Sequence, residues 1–254
     1  MSLVLHQYRY DQKQFWREPA SVFFTVVLPL IFFVLFAAIF GSDTTVVNGE
    51  KIETATYYVP AIIALALINA TFVNLTIWLT IQRERGQLKR IRATPVPASA
   101  VIAGRTLTAI VIAAIMVVAV LLFGFALYGV DLPDSTLPGV VVSVLVGTLS
   151  LAALGFAAAS LVPSENAAPP IANVIVLPLE FMSGIFVPAD NIPDWMNTIA
   201  GVFPVKPLFD SLLAAFGPTA SGIGVSWGDL AVVAAWGIVG VVVALRRFRW
   251  SPRR

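Results

Sequence analysis

The stretch from Gln82 to Arg105, QRERGQLKRIRATPVPASAVIAGR, is a strongly basic island between two long apolar runs. Arg83, Arg85, Lys89, Arg90, Arg92 and Arg105 place positive charge there against a single acid, Glu84. Without the island the flanking runs would read as one apolar hairpin; with it they read as two membrane spans joined by a short loop. An excess of Lys and Arg in a loop this short assigns it to the cytoplasm. The island is therefore a candidate docking loop, and its placement orients the rest of the chain.

Working outward, the composition agrees. Of the residues, 58% are hydrophobic and 12% charged, with a mean hydropathy of +0.88, far from the usual soluble-domain mix. A bilayer core takes roughly 20 apolar residues per helical crossing. The runs 20–41, 57–81, 106–130, 137–162 and 229–246 meet that length, and 167–187 meets it while carrying Glu180. The expectation is an all-α integral membrane protein, a single membrane domain filling 1–254 with six transmembrane helices.

Basic residues divide unevenly between the two sides these spans define. Of the sixteen, fourteen lie before span one, in the island, or after span six. Only Lys51 and Lys206 fall on the other side, among Asp43, Glu50, Glu53, Asp131, Asp134, Asp190 and Asp194. Both termini are expected in the cytoplasm, which requires an even number of crossings. The turn Pro163 to Asn166 carries Glu165 and no base, so parity alone places it inside. Basic residues beside span ends answer to anionic headgroups and orientation, so the net charge of +2 gives no argument for nucleic acid. The chain has no cysteine, which excludes disulfides, thiol nucleophiles and Cys metal sites. The first apolar run starts only after Pro19 and exceeds a signal-peptide core, so it is expected to be retained as a span.

Residues 1–19 read as a helix lying on the membrane. At about 100° per residue, Val4, Leu5, Tyr8, Phe15 and Trp16 share an arc, and Arg9, Lys13 and Arg17 recur every fourth residue on its flank. That is an interfacial amphipathic pattern; a partly ordered basic tail is the plainer alternative. Inside the island, Gln82 to Ala93 permits helix, Leu88 and Ile91 form a small apolar face, and Thr94, Pro95 and Pro97 stop it. A short basic helix beneath the membrane suits a groove on another protein, or else the loop is solvated and only sets topology. In the outer region 188–226, Trp195 to Phe203 and Leu208 to Phe216 are apolar but too short to cross. They are expected as short re-entrant helices, because irregular backbone at membrane depth needs protein or a water-filled cavity around it. A folded outer loop on the headgroups is the alternative.

These residues carry a resemblance. Glu84, Gly86, Leu88, Lys89 and Arg90, then Thr94-Pro95, then Gly104-Arg105 opening a span, resemble the E-x-G-x-L-x-R…T-P…G-[KR] loop of permease subunits in type-2 ATP-binding-cassette (ABC) exporters of drugs and lipids. The run Leu177-Pro178-Leu179-Glu180-Phe181-Met182-Ser183-Gly184-Ile185-Phe186-Val187-Pro188, followed by Ile192-Pro193-Asp194-Trp195 and Pro204, resembles that family's P-L-x-F-x-S-G-x-x-x-P…L-P-x-W…P signature. The opening Arg17-Glu18-Pro19…Leu28-Pro29-Leu30…Phe40-Gly41 and the close from Trp227 to Arg247 fit as well, so the resemblance covers essentially the whole chain. It implies that two such chains, alike or unlike, pair in a bacterial cytoplasmic membrane and bind two copies of a separate ATPase. It further implies that 83–97 supplies a coupling helix. On that implication Glu84, Gly86, Leu88, Arg90 and Ile91 transmit the ATPase stroke, while Arg83 and Arg85 steer docking. The chain has no G-x-x-x-x-G-K-[ST] phosphate loop, so ATP and Mg are expected on the partner, with no cofactor and no catalytic site on this chain.

Glu180 lies well inside span five, near mid-membrane at about 1.5 Å per residue. A carboxylate there marks function by default, and family members frequently lack it. It reads as a contact for a cationic substrate, a proton relay, or a neutral acid hydrogen-bonded to Asn69, Asn74 or Asn173. Asn69, Thr76, Glu180 and Ser183 are the candidate substrate-pathway residues, although the stripe Asn69, Thr76, Thr80 also reads as interhelical glue. The stripe Phe32, Phe36, Phe40 reads as packing. Gly147, Leu151, Gly155 and Ala159 allow close helix approach, within one chain or across a dimer. The only histidine, His6, lies outside the spans, which leaves an intramembrane hydrolase without a base and a metal enzyme without clustered ligands. The expected function is that of the permease subunit of an ATP-driven exporter of an amphiphile, whether drug, lipid or lipid-linked natural product. The alternative is a proton-coupled secondary transporter using Glu180.

Overall fold

A computed structural model describes residues 3–40, 44–47, 50–92, 97–188, 192–216 and 222–247. Helix α1 (Leu3–Trp16) precedes α2 (Pro19–Phe40), and strands β1 (Thr44–Val47) and β2 (Glu50–Glu53) lead into α3 (Thr54–Glu84). Then come α4 (Gln87–Arg92), α5 (Ala98–Tyr128), α6 (Leu137–Leu161), α7 (Ala168–Met182), α8 (Asp194–Val202), α9 (Val205–Leu213) and α10 (Trp227–Arg247). Helices α2, α3, α5, α6 and α10 are long and apolar enough to cross a membrane, so this is an integral membrane protein. Helix α7 has 15 residues, about 22 Å of rise against a hydrocarbon core of roughly 30 Å, and is shorter than the run 167–187 that hydropathy marks. It ends where Ser183 Oγ donates to the Glu180 carbonyl at 2.7 Å and Gly184 turns the chain with a φ of 95°, a value that a Cβ would strain.

The hairpin of β1 and β2 departs from the all-α expectation. Its antiparallel register pairs Thr44 with Glu53 and Val47 with Glu50. Thr-Thr-Val-Val supplies β-branched residues, and Asn48-Gly49, outside the described residues, is the two-residue signal of a tight hairpin.

Helix α3 is the central element: 72% of its apolar window is buried, against 22–56% for the other crossing helices. Two helices carry a π-helical turn, Phe23–Val27 in α2 and Asn69–Val73 in α3. The first comes just before Pro29, which has no N–H to return to the preceding turn. In the second, the Asn69 amide donates to the Leu65 carbonyl at 2.9 Å.

Small residues set the close approaches, and they do so inside one chain. A Cβ on Gly147 would lie 2.5 Å from Leu208 Cδ1 of α9, and one on Gly155 would lie 3.1 Å from the Phe72 carbonyl of α3. Gly240 of α10 sits against the backbone of Ala153 and Leu154, with a built Cβ at 2.8 Å from each. The choice left open for this stripe is thereby decided for packing within the protomer. Helix α9 is inserted in the bundle, with Leu208, Phe209 and Leu212 fully buried. Helix α8 lies outside with Trp195, Ile199 and Val202 exposed, tied to α10 by Trp236 Nε1 donating to the Val202 carbonyl at 2.7 Å.

One end of the bundle collects the basic loop, α1, the turn between α6 and α7, and the end of α10. Leu88 of α4 shares a buried cluster with Leu79, Phe156 and Ala159, against which Ala244 of α10 packs. Helix α1 lies across the start of α5, where a Cβ on Gly104 would meet Gln7 Cγ at 2.8 Å and the Tyr8 backbone nitrogen at 3.2 Å. The packed face of α1 takes Phe15 from the apolar arc drawn from periodicity but not Leu5 or Trp16. Phe15 and Asp11 are buried, whereas Leu5 and Trp16 are exposed beside the exposed bases Arg9, Lys13 and Arg17.

Candidate functional site

The basic loop begins as the last turn of α3 ends. Arg85 Nα still donates to the Ile81 carbonyl, and Gly86, with a φ of 69°, turns the chain into α4. This is why a glycine stands between Arg85 and Gln87: the left-handed region costs other residues about 1–2 kcal/mol. Pro97, extended, then starts α5; residues 93–96, with Thr94 and Pro95, lie outside the described residues.

Arg83 does not face outward to steer a partner. It is 1% exposed, and its guanidinium donates from Nη1 to the Ala159 carbonyl and from Nη2 to the Val162 carbonyl, both at 2.7 Å. The local sequence explains the need. In a continued helix the Ala159 carbonyl would accept from residue 163, which is Pro163 and has no N–H. Arg83 supplies that donor, and its Nε holds Glu84 Oε1 at 2.9 Å. Beside it, exposed Arg85 pairs with Glu165 at 3.0 Å, so the turn that parity alone assigned lies against the basic loop.

Leu88 is likewise turned inward, 1% exposed, and anchors α4 on α3 and α6. Lys89 and Arg90 are exposed and carry the outward charge of α4 among the described side chains. Ile91 belongs to the same helix, and its side chain lies outside the described residues. Six of the seven coupling candidates, Ile91 apart, thus separate into an anchor (Arg83, Leu88), a turn (Gly86), a half-buried acid held by the anchor (Glu84) and exposed bases (Arg85, Arg90).

Next to this loop is a cavity of about 380 Å³ between α1, the start of α2, α3, the start of α5 and α7. Gln14, Glu18, Asn69, Asn74, Trp78, Arg105 and Asn173 line it together with Phe15, Phe24, Val73 and Ile77. Arg105, read from the sequence as a topological charge and as the last residue of the loop motif, is 5% exposed. Its Nη2 donates to Asn74 Oδ1 at 2.6 Å, and its guanidinium lies 4.4 Å above the Trp78 ring. Behind α1, Asp11 is fully buried and accepts from Gln7 at 3.1 Å. Burial pushes its carboxyl above the ordinary carboxylate range, with the Arg105 charge and the Gln7 hydrogen bond pulling the other way.

Of the four pathway candidates, Asn69 lines this cavity. Thr76 is buried and bonds back to the Phe72 carbonyl at 2.6 Å, and Ser183 caps α7 through the Glu180 carbonyl. Glu180 is 3% exposed, with Oε1 buried and unpartnered among the described residues. No hydrogen bond joins it to Asn69, Asn74 or Asn173: Asn69 donates to Leu65 and Asn74 accepts from Arg105.

A family model described as ABC-2 type transporter matches residues 5–216. No curated protein matches the chain. The match runs from α1 through all the crossing helices but α10 and includes the basic loop, the cavity and α9. The chain belongs to the ABC-2 type transporter family and is a membrane permease subunit of an ABC transporter, a family that works with a partner ATPase.

Proposed function

We propose that this chain is the permease of an exporter that moves an amphiphile out of the cytoplasm, driven by an ATPase that docks on residues 83–97 and holds the ATP and Mg. The observation that carries the reading is the anchored basic helix. Arg83 and Leu88 fasten α4 to the ends of α3 and α6, while Lys89 and Arg90 are left exposed. A push on α4 is then passed to two crossing helices rather than absorbed by a loop. Two such chains with two ATPases form the working unit, in a bacterial cytoplasmic membrane with both termini inside.

Six net crossings are supported by where the ends lie. Chain leaving α6 at Glu165 is beside Arg85, at the inner end of α3. By Gly184 it has reached Tyr57, at the outer end of α3, whose hydroxyl donates to the Gly184 carbonyl. Helix α7 and the segment after it therefore travel the length of α3. Helices α8 and α9 serve as the re-entrant outer element, and an amphiphile suits a cavity that sets Arg105 and three asparagines beside Phe15, Phe24, Val73 and Ile77. The test is co-purification of the chain with its ATPase from mild detergent, followed by hydrolysis assays. Charge reversal by Lys89→Glu with Arg90→Glu is expected to weaken association at least tenfold, as loss of exposed complementary charge at an interface does. Undiminished association and transport would remove α4 as the docking element.

A further inference from the structure

We infer that the cavity beneath α1 binds the anionic headgroup of an amphiphile, a phosphate or carboxylate on an alkyl chain, with Arg105 as its cation. The inference rests on the exporter reading for the fate of the ligand, not for its binding.

Arg105 lines the cavity, is almost wholly removed from solvent, and makes no ion pair among the described residues. A guanidinium carries five N–H donors. One nitrogen is engaged by Asn74 and one face by Trp78, which leaves donors for an incoming anion and fixes the plane in which they lie. No carboxylate among the described residues lies within ion-pair distance of Arg105, the Asp11 and Glu18 charges acting on it from further off, and an anion with two oxygens is the ligand that a planar fork of donors fits best. Trp78 contributes its ring face, and its Nε1–H is buried without a partner among the described residues. The side-chain amides of Asn69 and Asn173 complete the polar wall. Phe15, Phe24, Val73 and Ile77 offer an apolar wall to an alkyl chain, and the volume lies within the roughly 300–1,000 Å³ of small-molecule sites. The depth is right for a headgroup, because the cavity lies at the basic end of the bundle under an amphipathic helix. Two carboxylates oppose an anion. Glu18 is exposed, where water and salt screen it. Asp11 does not line the cavity; burial raises its carboxyl, while the Arg105 charge and the Gln7 hydrogen bond pull it back.

The shared chemistry has two sources, a membrane phospholipid or a free anionic amphiphile, and one titration separates them. The full chain in a nonionic maltoside is titrated with dodecyl phosphate, with dodecyltrimethylammonium as the cationic control and with phosphatidylglycerol as competitor. Saturable binding of dodecyl phosphate is expected. It should weaken about tenfold on loss of the charge-assisted bonds in Arg105→Gln, weaken in Asn173→Phe, and tighten in Glu18→Gln. Asn173 is exposed on α7, so its variant still tests the cavity if Arg105→Gln fails to fold. Competition by phosphatidylglycerol assigns the site to membrane lipid; binding without competition assigns it to a free amphiphile. Equal affinity for the cationic control, or unchanged affinity in Asn173→Phe and in any folded Arg105→Gln, overturns the inference. ATPase association is read separately, so failure of this site leaves the exporter reading standing, and the reverse.

Discussion

Arg83 and Arg85 are two residues apart and would be given one role by charge alone, yet their surroundings separate them. Replacing Arg83 by Leu leaves the Ala159 and Val162 carbonyls unpaired in a buried place, at a cost of about 1–3 kcal/mol for each group. Replacing Arg85 by Ala removes an exposed pair worth under about 1 kcal/mol. Thermal unfolding in detergent, followed by size-exclusion fluorescence, is expected to show a clear drop for Arg83→Leu and little change for Arg85→Ala. Equal losses would mean that the clamp on α6 is misassigned. Asp11 gives a pH signature. Its carboxyl is raised above the ordinary value of 3.8 by burial, so the folded chain holds that proton more tightly than the unfolded one. The sign follows by linkage: its contribution lowers stability as pH rises from about 3.8 through the raised folded value, and is level above it. A stability profile across acid pH should lose that decline in Asp11→Asn. Both roles depend on residues far along the chain from the side chain concerned, which is why neither was legible from local charge.

At the scale of elements, the bundle is closed by glycine notches, and what fills each notch decides its tolerance. Gly240 meets backbone atoms of Ala153 and Leu154, which cannot move aside without shifting α6; Gly147 meets the flexible end of Leu208. Gly240→Ala is expected to cost about 1–3 kcal/mol, in the range of overpacking, and Gly147→Ala distinctly less, by the same thermal assay. A larger loss at Gly147 would show that α9 is held more rigidly than α10. The small residues of α6 were visible in the sequence as a stripe, but a stripe has no partner written in it. The hairpin β1–β2 was legible in principle, from its β-branched residues and Asn48-Gly49, and was overshadowed by the hydropathy of its neighbours. For α7 the apolar run continues to Val187, while Ser183 and Gly184 end the helix earlier by a side-chain cap and a left-handed turn.

At the scale of the molecule, sidedness joins the charge count to the packing. The absence of cysteine makes single-cysteine labelling direct. A membrane-impermeant maleimide is expected to label Lys51→Cys in intact cells, and to label Lys89→Cys and Glu165→Cys only after permeabilisation. Labelling of Glu165→Cys from outside would break the six-crossing arrangement in which the α6–α7 turn touches the basic loop.

The sequence by itself determined the membrane class, the whereabouts of five crossing helices, the basic end and the family, because hydropathy, charge and motif order are quantities summed along neighbouring residues. Only the tertiary structure decided that Leu88 faces inward, that Arg83 completes the end of α6, that Thr76 and Ser183 turn their hydroxyls to backbone carbonyls, and that Arg105 with Asn69 and Asn173 shares a cavity. The bonds of Arg83 join residues 76 and 79 positions apart. What a polar side chain does inside a membrane protein is set by which distant backbone or charge it reaches, and that is a property of the packed helices.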